Sequence, residues 1–254
     1  MDHMDQELRL AVLIDADNAP RTALREIMAE VAVYGTPTIK RIYGDWTTPN
    51  MASWKALLLE HAITPFQQYS YTTGKNATDS AMIIDAMDIL YSGNCDGFVL
   101  VSSDSDFTRL ATRLREAGMM VYGMGEKKTP KPFIVACDKF VYIESLKAAE
   151  AAVPAPKSSG KKKAAAHAEP EPEPKPLTGQ ALIAQSVEDL ADEDGYAYLG
   201  DVGTLLLKKQ PDFDSRNYGF SKLSRFIASL DCFEIDERKN ANYGGTQVFL
   251  RNKK

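Results

Sequence analysis

The sequence is poor in the residues from which most zinc, disulfide and nucleophile sites are built. Its 254 residues include three cysteines (Cys95, Cys137, Cys232) and three histidines (His3, His61, His167). No CxxC pair occurs and no cysteine lies near a histidine cluster, so a structural zinc site or a Cys/His nucleophile pair has little to draw on. The thiols read instead as small buried hydrophobes in a reducing compartment. Long apolar runs are missing as well, none approaching the roughly 18 residues of a membrane helix. The segment Met1–Leu10 is acidic and lacks the basic and apolar regions of a signal peptide, which argues against secretion and for a cytoplasmic protein. There is no surplus of positive charge. With 30 Lys/Arg against 35 Asp/Glu the net charge is −5, too acidic to coat nucleic acid by bulk attraction. Phosphate-loop and hydrolase motifs are also absent: Thr73-Gly74-Lys75 lacks the GxxxxGK[ST] spacing, no GxSxG elbow occurs, and Gly123-Met124-Gly125 is too short a match to a dinucleotide loop.

What is present is a hydrophobic fraction of 44%, enough for a real core, interrupted by one composition break. From 148 to 177 the chain is rich in Ala, Pro, Lys and Glu and nearly free of large apolar residues, the signature of a disordered linker. The lysine run Lys161–Lys163 reads as part of that solvated segment. Before it, in residues 1–147, short apolar runs (Leu8–Ile14, Thr38–Tyr43, Ile63–Tyr69, Gly97–Val101, Met119–Met124, Phe140–Ile143) alternate with helical spacing. The helices are expected after Pro20 and over Ser53–His61, Asp79–Tyr91 and Phe107–Ala117. That alternation predicts a three-layer α/β/α sandwich around a mostly parallel sheet. After the linker, residues 178–254 predict helices over Ala181–Leu190, Leu199–Lys209 and Phe220–Leu230. Strands over Phe233–Arg238 and Gln247–Leu250 follow, joined by the turn-rich Asn240–Gly245, giving a small α+β winged-helix-like domain.

The chemistry sits in the acids. Asp15 ends the first apolar run in LIDADN, with Asp17 and Asn18 just after it. Asp104 and Asp106 follow another run in LVSSDSDF, and Asp79 opens a helix. Residues just past the carboxyl ends of parallel strands line the ligand crevice, so these side chains are expected to converge. Two carboxylates about 5 Å apart at an effective dielectric near 20 repel by about 3 kcal/mol, and a hard divalent cation is the usual compensation. Each aspartate alone is equally well explained as a cap accepting backbone N–H bonds. Asp85 lies six residues beyond Asp79, about 240° around a helix, and is expected to support the site or the fold. Lys75 and Asn76 read as polar groups on the crevice rim or as a solvated loop.

The strings VLIDADNAP, TGKNATDSAMIIDAMDILYSG and DGFVLVSSDSDFTRLATRLREAGMMVYGMGEKKTP together resemble the NYN domain family of PIN-like nucleases, over about residues 8–146. The resemblance implies a Rossmann-like fold, a carboxylate site for Mg²⁺ or Mn²⁺, and endonucleolytic cleavage of RNA. Position by position it implies Asp15, Asp79, Asp104 and Asp106 as metal ligands, Asn18 as a catalytic neighbour, and a supporting role for Asp85. The string YAYLGDVGTLLLKKQPDFDSRNYGFSKLSRFI and the hairpin after it resemble a LOTUS, or OST-HTH, domain over about residues 178–252, which implies binding of structured or G-rich RNA and possible protein partners. There Lys208, Lys209, Arg216, Lys222 and Arg225 could form a basic face near Tyr218. Since the segment holds 10 basic and 12 acidic residues, that face must come from asymmetry. The expected function is a metal-dependent endoribonuclease. The alternatives are a non-catalytic RNA-binding or adaptor protein, and a DNA nuclease or phosphatase-like hydrolase.

Overall fold

The computed structural model describes residues 7–69, 77–146, 175–239 and 246–253. Lys75, Asn76, the hairpin turn 240–245 and residues 148–174 of the expected linker lie outside them. Two compact units divide the chain at Met1–Lys147 and Ala148–Lys254. Among the described residues no helix is long and apolar enough to cross a membrane.

The first unit runs β1 (Arg9–Asp15), α1 (Leu24–Tyr34), β2 (Thr36–Gly44), α2 (Lys55–Glu60), β3 (Thr64–Gln67), α3 (Ala77–Ser92), β4 (Gly97–Val101), α4 (Thr108–Glu116), β5 (Met120–Gly125), α5 (Lys131–Ala136) and β6 (Lys139–Tyr142). All five strand pairings are parallel, in the order β3-β2-β1-β4-β5-β6. The continuous apolar runs of β1 and β4 follow from this, because a central parallel strand is covered on both faces. Alternate residues still go to opposite sides. Leu10, Val12 and Ile14 join α1 through Leu24, Ile27 and Val31. Ala11 and Leu13 join α3 through Met82 and Ala86, together with Leu110 of α4 and Phe133 of α5.

Strand order reverses direction of growth between β1 and β4. In open α/β sheets the crevice at such a switch point, outside the carboxyl ends of the strands, is where ligands bind. Asp15 is the last residue of β1, and Asp104 lies three residues beyond β4. The topology therefore delivers both acidic motifs to one place.

The second unit runs α6 (Lys175–Leu190), β7 (Ala197–Tyr198), α7 (Leu199–Lys209), a 3₁₀ turn Ser215–Tyr218, α8 (Leu223–Ala228), β8 (Phe233–Lys239) and β9 (Thr246–Asn252). Its antiparallel sheet has the order β7-β9-β8, and its core joins Ile183, Val187, Val202, Leu206, Phe226, Ile227 and Leu250. Three details differ from the sequence reading. The first helix starts at Lys175, ahead of the expected Ala181. A two-residue strand, β7, pairs Ala197 with Leu250 and was not expected. The last helix is short, because Gly219 turns left-handed (φ 85°) and Lys222 is extended (φ −143°, ψ 144°) before Leu223.

Candidate functional site

Asp15 is fully buried where β1 ends. One carboxylate oxygen accepts the backbone N–H groups of Asp17 (3.0 Å) and Asn18 (3.3 Å). The other accepts the Asn18 amide (2.8 Å) and the Ser102 hydroxyl (2.8 Å). This is why the strand ends in D-A-D-N: the aspartate closes its own turn, and the asparagine secures it. Burial pushes the Asp15 carboxyl above its ordinary range, opposed by the hydrogen bonds from Asn18, Ser102 and the Asp17 N–H. Ser102 couples the two strand ends, since its hydroxyl also accepts the Asp104 N–H (3.1 Å).

Asp104 caps the 3₁₀ turn Ser105–Phe107 by accepting the Asp106 N–H (3.0 Å). Capping and site-building thus coexist in one residue. Asp79 arrives from the first turn of α3 and is 9% exposed. Each of Asp79, Asp104 and Asp106 offers a carboxylate oxygen, and these atoms lie within 4.8 Å of one another. Burial first, then the negative charges of Asp15, Asp104, Asp106 and Asp17, pushes the Asp79 carboxyl up to about 6. Among the described residues neither Asp79 nor Asp104 has a salt-bridge partner. A set of three hard oxygen donors of this kind suits a hard divalent cation, which keeps several waters and needs few carboxylates.

The other expected acids stand apart from this trio. Asp15 contributes charge beside it while its oxygens serve the protein's own donors. Asp17 is exposed. Asp85 pairs with Arg41 of β2 and accepts the Tyr43 hydroxyl, tying α3 to the sheet.

In the second unit the expected RNA-binding residues divide. Lys208, Lys222 and Arg225 are exposed, with Arg225 reaching the Ser221 hydroxyl at 3.5 Å. Lys209 pairs with Asp189 at 2.5 Å, and Arg216 with Asp214 at 2.7 Å. Tyr218 stacks on Phe226 (4.6 Å, 12°) and packs, partly buried, against the core, where burial raises its hydroxyl pKa. The sequence reading missed another cationic and aromatic group, made by the hairpin register. Arg238 lies over Phe249 (4.2 Å) and Tyr196 (5.1 Å), and Arg251 over Tyr196 (4.7 Å). Both arginines also hold acids, Asp236 and Glu234, so this face is close to neutral.

The family model for the NYN domain matches residues 9–144, more than half of the chain and all of the elements that carry the acids. The chain belongs to the NYN domain family. A second match, to the OST-HTH/LOTUS domain, covers residues 179–244. No curated protein matches the chain. Among solved structures, a protein of unknown function from Vibrio parahaemolyticus is 20% identical, covering 56% of this chain and 96% of its own, with a TM-score of 0.48. An uncharacterised protein from Nitrosomonas europaea is 34% identical over 39% of this chain and 92% of its own, with a TM-score of 0.28. A fragment of a Chromobacterium violaceum protein is 32% identical over 33% of this chain and 87% of its own, with a TM-score of 0.26.

Within the NYN unit, sequence reasoning missed the two serines of SSDSDF. Ser102 and Ser103 are both buried. Ser103 accepts the Glu126 N–H (2.8 Å), fastening the carboxylate loop to the turn after β5. The available signal was the abrupt change from a wholly apolar strand to two small hydroxyl residues beside acids.

Proposed function

We propose that this NYN protein is a divalent-metal-dependent endoribonuclease, with RNA tethered by its OST-HTH/LOTUS module. The observation that carries the reading is the convergence of Asp79, Asp104 and Asp106 at the sheet's switch point, where burial and then the charges of the neighbouring acids raise Asp79 to about 6. Repulsion of that kind is relieved when a cation is held among the carboxylates. A bound Mg²⁺ or Mn²⁺ supplies a polarised phosphate oxygen, a water of lowered pKa and stabilisation of the leaving oxygen.

The chain's own residues have separable parts in this scheme. Asp79, Asp104 and Asp106 would hold the ion. Asp15, with Asn18 and Ser102, sets the distance between the β1 and β4 ends and adds negative charge that favours cation binding. In the second unit the exposed Lys208, Lys222 and Arg225 are the phosphate contacts, while Tyr218 supports the fold under them. Tethering would raise the local concentration of RNA at the NYN site.

A circular single-stranded RNA incubated with the full chain and Mn²⁺ tests the activity, because a ring offers no end to an exonuclease. Linear products that vanish with chelator and with Asp104→Asn are expected. A ring left intact in Mg²⁺ and in Mn²⁺, or cut equally by the variant, overturns the reading.

A further inference from the structure

A polyanion approaching three aspartates must find positive charge close by, and among the described residues the structure concentrates it in one turn. The loop after β2, residues 45–54, has no lysine or arginine. After β1, Arg21 is engaged with the Ser53 carbonyl (3.3 Å). The loop after β4 carries only the acids, with Arg109 beginning α4. The turn after β5 reads Glu126-Lys127-Lys128-Thr129-Pro130-Lys131, three cations in six residues.

This turn is held against the carboxylate loop at several points. The Glu126 N–H donates to Ser103, the residue before Asp104 (2.8 Å). Gly125 allows the approach: a Cβ there would lie 2.6 Å from the Ser102 carbonyl and 2.7 Å from the Thr129 hydroxyl. The Thr129 hydroxyl closes the turn on the Glu126 carbonyl (2.6 Å), and the Lys127 N–H donates to Glu144 (3.0 Å). Lys128 is paired with Glu126 (2.6 Å). Lys127 and Lys131 are exposed, and among the described residues their ammonium groups have no salt-bridge partner. Two uncommitted cations on a fixed backbone are prepared to meet phosphates with little ordering left to do.

We propose that Lys127 and Lys131 contact the RNA backbone beside the scissile phosphate, so that the strand runs over the ends of β4 and β5. The assignment rests on the nuclease reading above, yet it is tested without turnover. Full-length protein is titrated with a fluorescent 20-nucleotide single-stranded RNA in EDTA across a salt series. Each phosphate contact contributes about −0.7 to the slope of log K against log salt for single strands. Lys127→Ala with Lys131→Ala should flatten the slope by about 1.4 and weaken binding about tenfold near 0.1 M salt. The Lys127→Arg, Lys131→Arg pair should keep the wild-type slope, and the Mn²⁺-induced rise in melting temperature should be unchanged in both. An unaltered slope in the alanine pair overturns the assignment, as does a loss that arginine fails to restore. Cleavage that survives Asp104→Asn would sink the nuclease reading while leaving the slope measurement intact.

Discussion

Asp79→Asn should make the metal-free protein more stable, although it removes a residue of the proposed site. The native carboxyl is raised from an ordinary value of 3.8 to about 6 by burial and by its acidic neighbours. Between those two values the folded state binds the proton that the unfolded state has lost, so stability falls as pH rises through the window. Above about pH 7 the charged Asp79 therefore costs its full amount. Two pKa units correspond to about 2.7 kcal/mol. Because Asp106 and Asp17 face solvent and their repulsion is screened, the expected cost is about 1–3 kcal/mol. Asparagine keeps the shape without the charge. In EDTA at pH 7.5 the variant should melt roughly 2–12 °C higher than wild type, from about 2–4 °C per kcal/mol for a domain of this size. That advantage should shrink steadily toward pH 4. Mn²⁺ at 100 times its dissociation constant should then lift wild type by about 2.7 kcal/mol and the variant far less. Thermal melting followed by circular dichroism, with and without the metal, measures all of this. A variant that melts below wild type in EDTA at pH 7.5, or a difference that does not change with pH, would refute the reasoning.

Other predictions address the supports. Ser102→Ala removes a donor to buried Asp15 and the acceptor of the Asp104 N–H, and should cost about 1–3 kcal/mol by urea denaturation while reducing cleavage. Unchanged stability would mean that Ser102 does not couple the strand ends. Tyr218→Ala should cost about 3 kcal/mol through its lost stack on Phe226, whereas Lys222→Ala with Arg225→Ala should weaken RNA binding with the melting temperature unmoved. The reverse pattern would return Tyr218 to the RNA surface.

Much of this was legible because burial and periodicity speak plainly in central strands. The runs ending in Asp15 and preceding Asp104 announce β1 and β4, and parallel topology then forces their acids together. Asp85 was separable from Asp79 by helix geometry alone, and the structure gives it to Arg41 and Tyr43. Less was legible where a role depends on a partner distant in sequence. Ser103 meets Glu126, Lys209 turns to Asp189, and Arg238 reaches Phe249 only through the hairpin register. Tyr218 reads as an RNA-stacking residue because its neighbours are basic, and the sequence does not reveal that one face of its ring stacks on Phe226. The shortened α8 has a local cause, the left-handed Gly219, which the apolar spacing of Leu223, Phe226, Ile227 and Leu230 masked.

The most direct test of the central claim is an anomalous-scattering map from crystals of the full chain grown with Mn²⁺. The account predicts a peak bounded by Asp79, Asp104 and Asp106 that disappears in Asp104→Asn. A map with no peak at that trio, or with Mn²⁺ held only elsewhere, would contradict it.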